Sequence, residues 1–138
     1  FDPEAFLVVV SAVLTVSFRG YMPTHTYVAS NEKDTVSIMP YIAGLPGIRM
    51  NPYRPAHHDN ALTAEESVEA LQSVLVDSCI CALADYFIGN VCSTMSQYVH
   101  HLRLHLGLPY NSSFLAGGGR HTQLLSEAKL MVEHGEFE

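Results

Sequence analysis

The sequence predicts an α/β fold: a parallel sheet flanked by helices, one half of a doubly wound, nucleotide-binding architecture. Three observations carry that expectation. Segments of strand and helix character alternate as β-α-β-α-β-α through the middle of the chain. Two helix starts are written in capping residues, Thr63-Ala64-Glu65-Glu66 and Ser93-Thr94. Residues 77–95, DSCICALADYFIGNVCSTM, place a short apolar strand, a Gly-Asn break and a helix start one after another. A helix beginning just beyond a strand offers unpaired backbone N–H groups and the positive end of its dipole, so the natural guest there is an anion, above all a phosphate.

Taken in order, residues 1–19 mix signals. Val8, Val9, Val10, Val13, Thr15 and Val16 favour a strand, whereas Asp2-Pro3-Glu4 resembles a helix opening, and both types stay open. Residues 5–18 are apolar, but fourteen positions with Ser11, Thr15 and Ser17 among them fall short of the ~20 that cross a bilayer. A buried element is expected there, with a clipped signal anchor as the alternative. Gly20 to Thr24 is a turn, and residues 25–30 read as a short buried strand. A helix from Asn31 to Ile42 follows, shortened or kinked by Pro40, and Gly44-Leu45-Pro46-Gly47 ends it before a strand at Ile48-Arg49-Met50. The aperiodic stretch 51–60, NPYRPAHHDN, is a loop of the kind that carries contacts. The capping box at Thr63 opens a helix to about Ala84, with Val68, Leu71, Leu75, Ser78, Cys79 and Ala82 as its inner face. Tyr86-Phe87-Ile88 is the next strand, stopped by Gly89-Asn90. The helix from Ser93 or Thr94 to Leu106 turns Tyr98, Val99, Leu102 and Leu106 inward. Gly117-Gly118-Gly119 is a hinge, and 122–134 forms one amphipathic helix in a looser tail.

Composition narrows the function classes. The 138 residues make one domain or part of one, and with Phe1 rather than Met in first place a fragment is the expectation; 48% hydrophobic residues suffice for a core. Fourteen acidic against seven basic residues, a net charge of −7, exclude a partner gripped through a nucleic-acid backbone or an anionic lipid surface, while a single phosphorylated ligand stays allowed. Cys79, Cys81 and Cys92 form no C-x-x-C pair and read as small apolar residues, Cys79 and Cys81 within the core. Asn111-Ser112-Ser113 is a glycosylation sequon in a loop.

Several constellations have a plainer reading beside the chemical one. His57-His58-Asp59 and the pair His101 and His105, one helical turn apart, could ligate a metal, but HExxH is absent and no third ligand is tied to either pair. No metal is therefore expected. There is no G-x-S-x-G elbow, no G-x-G-x-x-G and no Walker sequence. Asp77 remains: either an exposed helix-face carboxylate, or one turned into a crevice where it accepts paired N–H bonds from a purine edge such as guanine while Ser93 and Thr94 take phosphates.

These residues resemble a family. Asp77, then Ala84-Asp85-Tyr86-Phe87-Ile88-Gly89-Asn90, then Ser93-Thr94 is similar to the C-terminal motif of GDP-fucose-dependent fucosyltransferases of the protein O-fucosyltransferase type. Thr26-Tyr27-Val28-Ala29-Ser30-Asn31 looks like that family's V-x-x-A-[ST]-D turn. The resemblance covers about residues 21–107. It implies the C-terminal, Rossmann-like half of a GT-B glycosyltransferase, with the whole chain, 1–138, as one nucleotide-sugar-binding domain. It further implies GDP-fucose as donor substrate with no other cofactor, transfer to a protein or glycan acceptor, and a place in the lumen of the endoplasmic reticulum or Golgi. Carried over by position, Asp77 would bind guanine and Ser93 with Thr94 the diphosphate, with Met95 beside them where the family often has Phe. Asn31 stands where the family often has Asp. The family's H-x-R-R motif, whose Arg balances the leaving diphosphate, is not seen, and Ser17-Phe18-Arg19-Gly20 echoes it poorly. Catalytic residues are therefore unassigned, and this piece alone is expected to bind rather than to turn over. The rival readings are a non-catalytic nucleotide- or anion-binding module, and an interaction domain in which Ser93 only caps its helix.

Overall fold

The computed structural model describes residues 3–18, 23–30, 39–40, 43–50 and 63–134. The described chain is mixed α/β, with four helices and two pairs of short parallel strands. Its elements are α1 (Pro3–Phe18), β1 (Thr26–Val28), β2 (Ile48–Met50), α2 (Ala64–Leu83), β3 (Phe87–Asn90), α3 (Thr94–His105), a 3-10 turn at Tyr110–Ser112, β4 (Ser113–Ala116) and α4 (His121–Glu133). β1 pairs with β2 and β3 with β4, both parallel, so the strands form two separate two-stranded sheets. The helix expected over 31–42 lies outside the described residues except for Met39 and Pro40, which are helical. The loop 51–60 with His57, His58 and Asp59, and also Arg19, Gly20 and Asn31, fall outside them too.

The first segment settles as a helix. Pro3 stands at its first position and Glu4 in its first turn, where a fixed φ and a negative charge suit the N-terminus. Phe6, Val9, Val13 and Val16 recur at three- and four-residue spacing on one face, joined by Ala12. Against that face pack Phe114 and Ala116 of β4 and Leu124 and Ala128 of α4. Burial at a 3.6-residue period outweighs the β preference of the valines, because helix propensity differs by only ~0.7 kcal/mol per residue among ordinary side chains. Among the described residues no helix is long and apolar enough to cross a membrane.

The β3–β4 pair is the centre of the molecule. In a strand, successive side chains point to opposite faces. Ile88, Phe114 and Ala116 join the cluster under α1 and α4, whereas Phe87 and Leu115 join Cys81 and Ala82 of α2 and Val99 of α3. Helices therefore cover both faces of the parallel pair. β3, α3 and β4 form one β-α-β unit, with Phe87 opposite Ser113 and Asn90 opposite Ala116.

Several expectations are corrected. Ser113, expected in the loop of the sequon, opens β4, a strand with no counterpart in the sequence reading; it closes at Gly117, whose φ of 84° is the left-handed region that glycine adopts freely. Gly89 and Asn90 do not stop β3 but belong to it, and the chain turns after them, at Val91 and Cys92. On α2, Val68, Leu71 and Leu75 are more than half exposed and Cys79 is exposed; the buried positions are Asp77, Ser78, Cys81 and Ala82. On α3, Tyr98 and Leu106 face solvent, and Val99 is buried together with Arg103. In both helices the apolar pattern is broad enough to fit more than one face, and the neighbouring elements choose.

Candidate functional site

The site begins with Gly89. A Cβ there would lie 2.7 Å from the Ser96 side chain and 2.8 Å from Phe87 Cζ, so only glycine lets α3 approach the strand this closely. The approach lets the Asn90 amide donate to Ser96 Oγ at 3.0 Å, while Asn90 Oδ1 accepts from the Cys92 amide at 2.8 Å. The Val91 amide reaches the Ala116 carbonyl at 2.9 Å, tying the turn to the end of β4, and the Gln97 side chain donates to the Val91 carbonyl. The turn from strand to helix is thus held by bonds on three sides.

Ser93 is the N-cap of α3. Its backbone is extended, and its Oγ accepts from the Ser96 amide at 3.2 Å. The hydroxyl keeps its own O–H to donate. Thr94 is exposed, and with Met95 it supplies first-turn amides that helix geometry leaves without an intrahelical acceptor. The Met95 side chain packs on the cluster of Cys81, Ala82, Phe87 and Val99. The helix N-terminus therefore lies at the carboxyl end of a parallel strand, where backbone amides and dipole favour an anion.

Asp77 is 7% exposed, so it is not a solvent-face carboxylate of α2. Tyr27 Oη, from β1, donates to its Oδ1 at 2.6 Å, the short distance of a bond to a charged acceptor. Tyr27 also packs on the cluster that Met95 covers, which sets Asp77 and Met95 on the same side of the β3–β4 pair. Beside the carboxylate, burial and the negative charge of Asp77 push the Cys81 thiol up to about 11, against the pull of Arg103. Cys81 is therefore a neutral, inert thiol at ordinary pH.

Arg103, 1% exposed, is the feature that sequence reasoning missed. Its guanidinium donates to the carbonyls of Cys81 and Ala82 at 3.1 Å, and to those of Ala84 at 2.5 Å and Asp85 at 3.3 Å. It also reaches the Ser112 carbonyl and hydroxyl, while its Nε donates to Ser113 Oγ at 2.8 Å. The last turn of α2, the link into β3 and the start of β4 all converge on this one side chain. A cation at a helix C-terminus meets the negative end of the dipole, and the planar fork supplies directed donors for otherwise orphaned carbonyls. Burial lowers its pKa, opposed by Cys81, Asp85 and Tyr86. The signal in the sequence was a lone Arg at an otherwise inward position of α3.

His101 and His105 lie exposed on α3, and among the described residues no group of three or more His, Cys, Asp or Glu could hold a metal ion. His100 has its Nδ1 buried with no hydrogen-bond partner, and its ring stands edge-on to Tyr110 at 5.8 Å. Burial, then the charges of His101 and Arg103, lower its pKa.

No protein-family model, no curated protein and no solved structure matches this chain.

Proposed function

We propose that this chain is the GDP-fucose-binding, Rossmann-like C-terminal part of a GT-B fucosyltransferase, whose intact form transfers fucose to a protein or glycan acceptor in the secretory lumen. The observation that carries the reading is the junction of β3 and α3. A helix capped by Ser93 opens at the carboxyl end of a parallel strand, and a buried carboxylate, Asp77, is oriented by Tyr27 on the face that Met95 covers. In this reading the Ser93 and Thr94 hydroxyls and the first-turn amides of α3 hold the diphosphate, Asp77 accepts the guanine N–H groups, and Met95 lies against the nucleoside. Arg103 is committed to the end of α2, so a cation for the leaving diphosphate would come from elsewhere.

Calorimetric titration with GDP, ADP and UDP tests this on the wild type, Asp77→Asn and the double variant Ser93→Ala, Thr94→Ala. The wild type should prefer GDP. Asp77→Asn should lose that preference, and the double variant should bind every nucleotide about tenfold more weakly or worse, tenfold being the scale of a single hydrogen bond to a charged group. A folded wild-type chain that binds none of the three overturns the reading.

A second reading, an interaction domain or an unselective anion-binding module, is favoured by one observation. Ser93 Oγ already serves the Ser96 amide and Asp77 already serves Tyr27, so both residues have structural work without a ligand. Equal affinity for all three nucleotides points to the module, and loss of helix content in the double variant without any change in binding points to the cap.

A further inference from the structure

The sequence carries one Asn-x-Ser/Thr tripeptide with a residue other than Pro in the middle, Asn111-Ser112-Ser113, and the fold treats its two ends differently. Asn111 is exposed, on the 3-10 turn Tyr110–Ser112 that leads into β4. Ser113, whose hydroxyl makes the tripeptide an acceptor, is 4% exposed, and its Oγ accepts the Nε–H of Arg103 at 2.8 Å. Between them the Ser112 hydroxyl donates to the Pro109 carbonyl at 2.6 Å and accepts from the Arg103 guanidinium at 2.9 Å. The acceptor amide thus stands in water, while the hydroxyl that a transferase must engage is built into the interior. We propose that Asn111 carries an N-linked glycan attached while the chain is still unfolded, and that Arg103 closes the tripeptide to later transfer once β4 has paired with β3.

The inference takes from the proposed function only the passage through the secretory lumen, where the donor is a lipid-diphosphate-linked oligosaccharide. In the transfer the Asn111 amide nitrogen bonds to the anomeric carbon of the sugar and gives up one proton. The bond from that carbon to the diphosphate oxygen breaks, and the lipid diphosphate leaves with the electron pair. Amide and hydroxyl have to enter one active site together. In the folded chain Ser113 would have to leave β4, where it stands opposite Phe87, and release Arg103. A buried cation would then lose acceptors on both Ser112 and Ser113. The product, by contrast, fits the fold. A glycan is bulky and solubilising and needs a surface attachment, which Asn111 supplies. It also lies away from the candidate site: Ser113 is level with the start of β3, whereas the Ser93 cap follows its end, the length of a four-residue strand or ~10 Å further along.

Mass reports the transfer and needs no nucleotide. The full chain, preceded by a cleavable signal sequence, is translated into endoplasmic-reticulum microsomes, and translocation is scored by protection from added protease. Protected chains should run one step heavier, peptide N-glycosidase should reverse the step, and Asn111→Gln should abolish it. A protected chain without the step overturns the proposal, whereas a glycosylated chain that binds no nucleotide overturns only the nucleotide reading. Timing is tested by adding oligosaccharyltransferase and lipid-linked donor to the purified, unglycosylated folded chain. It should accept about a hundredfold more slowly than a synthetic peptide of residues 107–117, because only its locally opened fraction is a substrate. Arg103→Met should accept at a rate near that of the peptide. Val13→Ala, which loosens the apolar cluster under α1 and leaves Arg103 in place, should stay near the wild-type rate. A folded wild type as reactive as the peptide, or Val13→Ala as reactive as Arg103→Met, overturns the closing role of Arg103.

Discussion

The two faces of the β3–β4 pair are built on different principles. Under α1 and α4 the interior is apolar throughout: Val9, Ala12, Val13, Phe114, Ala116, Leu124 and Ala128 touch one another, and their stability comes from area removed from water. Under α2 and α3 the interior holds Asp77, Ser78, Arg103 and Ser113 beside Cys81, Ala82, Phe87 and Val99. Buried polar groups hold only when their partners are present. The first face tolerates exchange of one hydrocarbon for another, whereas the second fixes the course of the chain through named bonds. It is also the face whose strand ends in the capped turn at Ser93, so the part of the molecule suited to a ligand is the part held by directed contacts.

That contrast can be broken by substitution. Arg103→Met keeps the volume but strands the carbonyls of Cys81, Ala82, Ala84, Asp85 and Ser112. Urea unfolding should show a loss of about 4 kcal/mol, the upper range for a buried network losing its centre. Phe114→Ala on the apolar face should remove about 3 kcal/mol by transfer and cavity effects. Phe114→Leu should restore most of it, while Arg103→Lys should restore little, because a point charge cannot replace the fork. If Arg103→Lys were as stable as the wild type, the polar face would be an ordinary core. Gly89→Ala should lose about 2 kcal/mol, since the new Cβ meets Ser96 and Phe87 below 3.0 Å, and the loss should fall when Ser96 is also replaced by Gly.

The smallest effects are those of pH, and they too belong to the α2–α3 side. His100 is held below its ordinary value of 6.5, so the unfolded chain takes up its proton first. Its contribution is complete above about pH 6.5 and declines as the pH falls below that, toward the lower folded value. Cys81 is shifted the other way, from 9.0 up to about 11. Its contribution is complete below pH 9 and is lost as the pH rises through 11. Melting temperatures followed from pH 5 to pH 10 should therefore fall at both ends. The acid-side fall should shrink in His100→Gln, and the alkaline one in Cys81→Ala. At neutral pH a maleimide should label Cys79 and Cys92 in the folded chain, and Cys81 only on unfolding.

Local chemistry was written in the sequence wherever a short-range rule acts alone. Thr63 caps α2 by accepting from the Glu66 amide, and Ser93 caps α3, because a cap needs only its own helix. Ile48–Met50 forms the expected strand, and 121–133 the expected tail helix, within a residue of its reading. Tertiary structure decided what depends on partners distant in the chain. The valines of α1 became helical because β4 and α4 bury one stripe of them. Ser113–Ala116 became a strand because β3 lies alongside it. Asp77 turned inward because Tyr27, fifty residues earlier, supplies its donor. Locally Arg103 showed only as a charge four residues after the inward Val99; its acceptors come from the end of α2 and the start of β4, which meet only in the folded chain. Capping and periodicity act over three or four residues and can be read along the chain. The choice of which face to bury, and of which charge may be buried, is a property of the assembled neighbours.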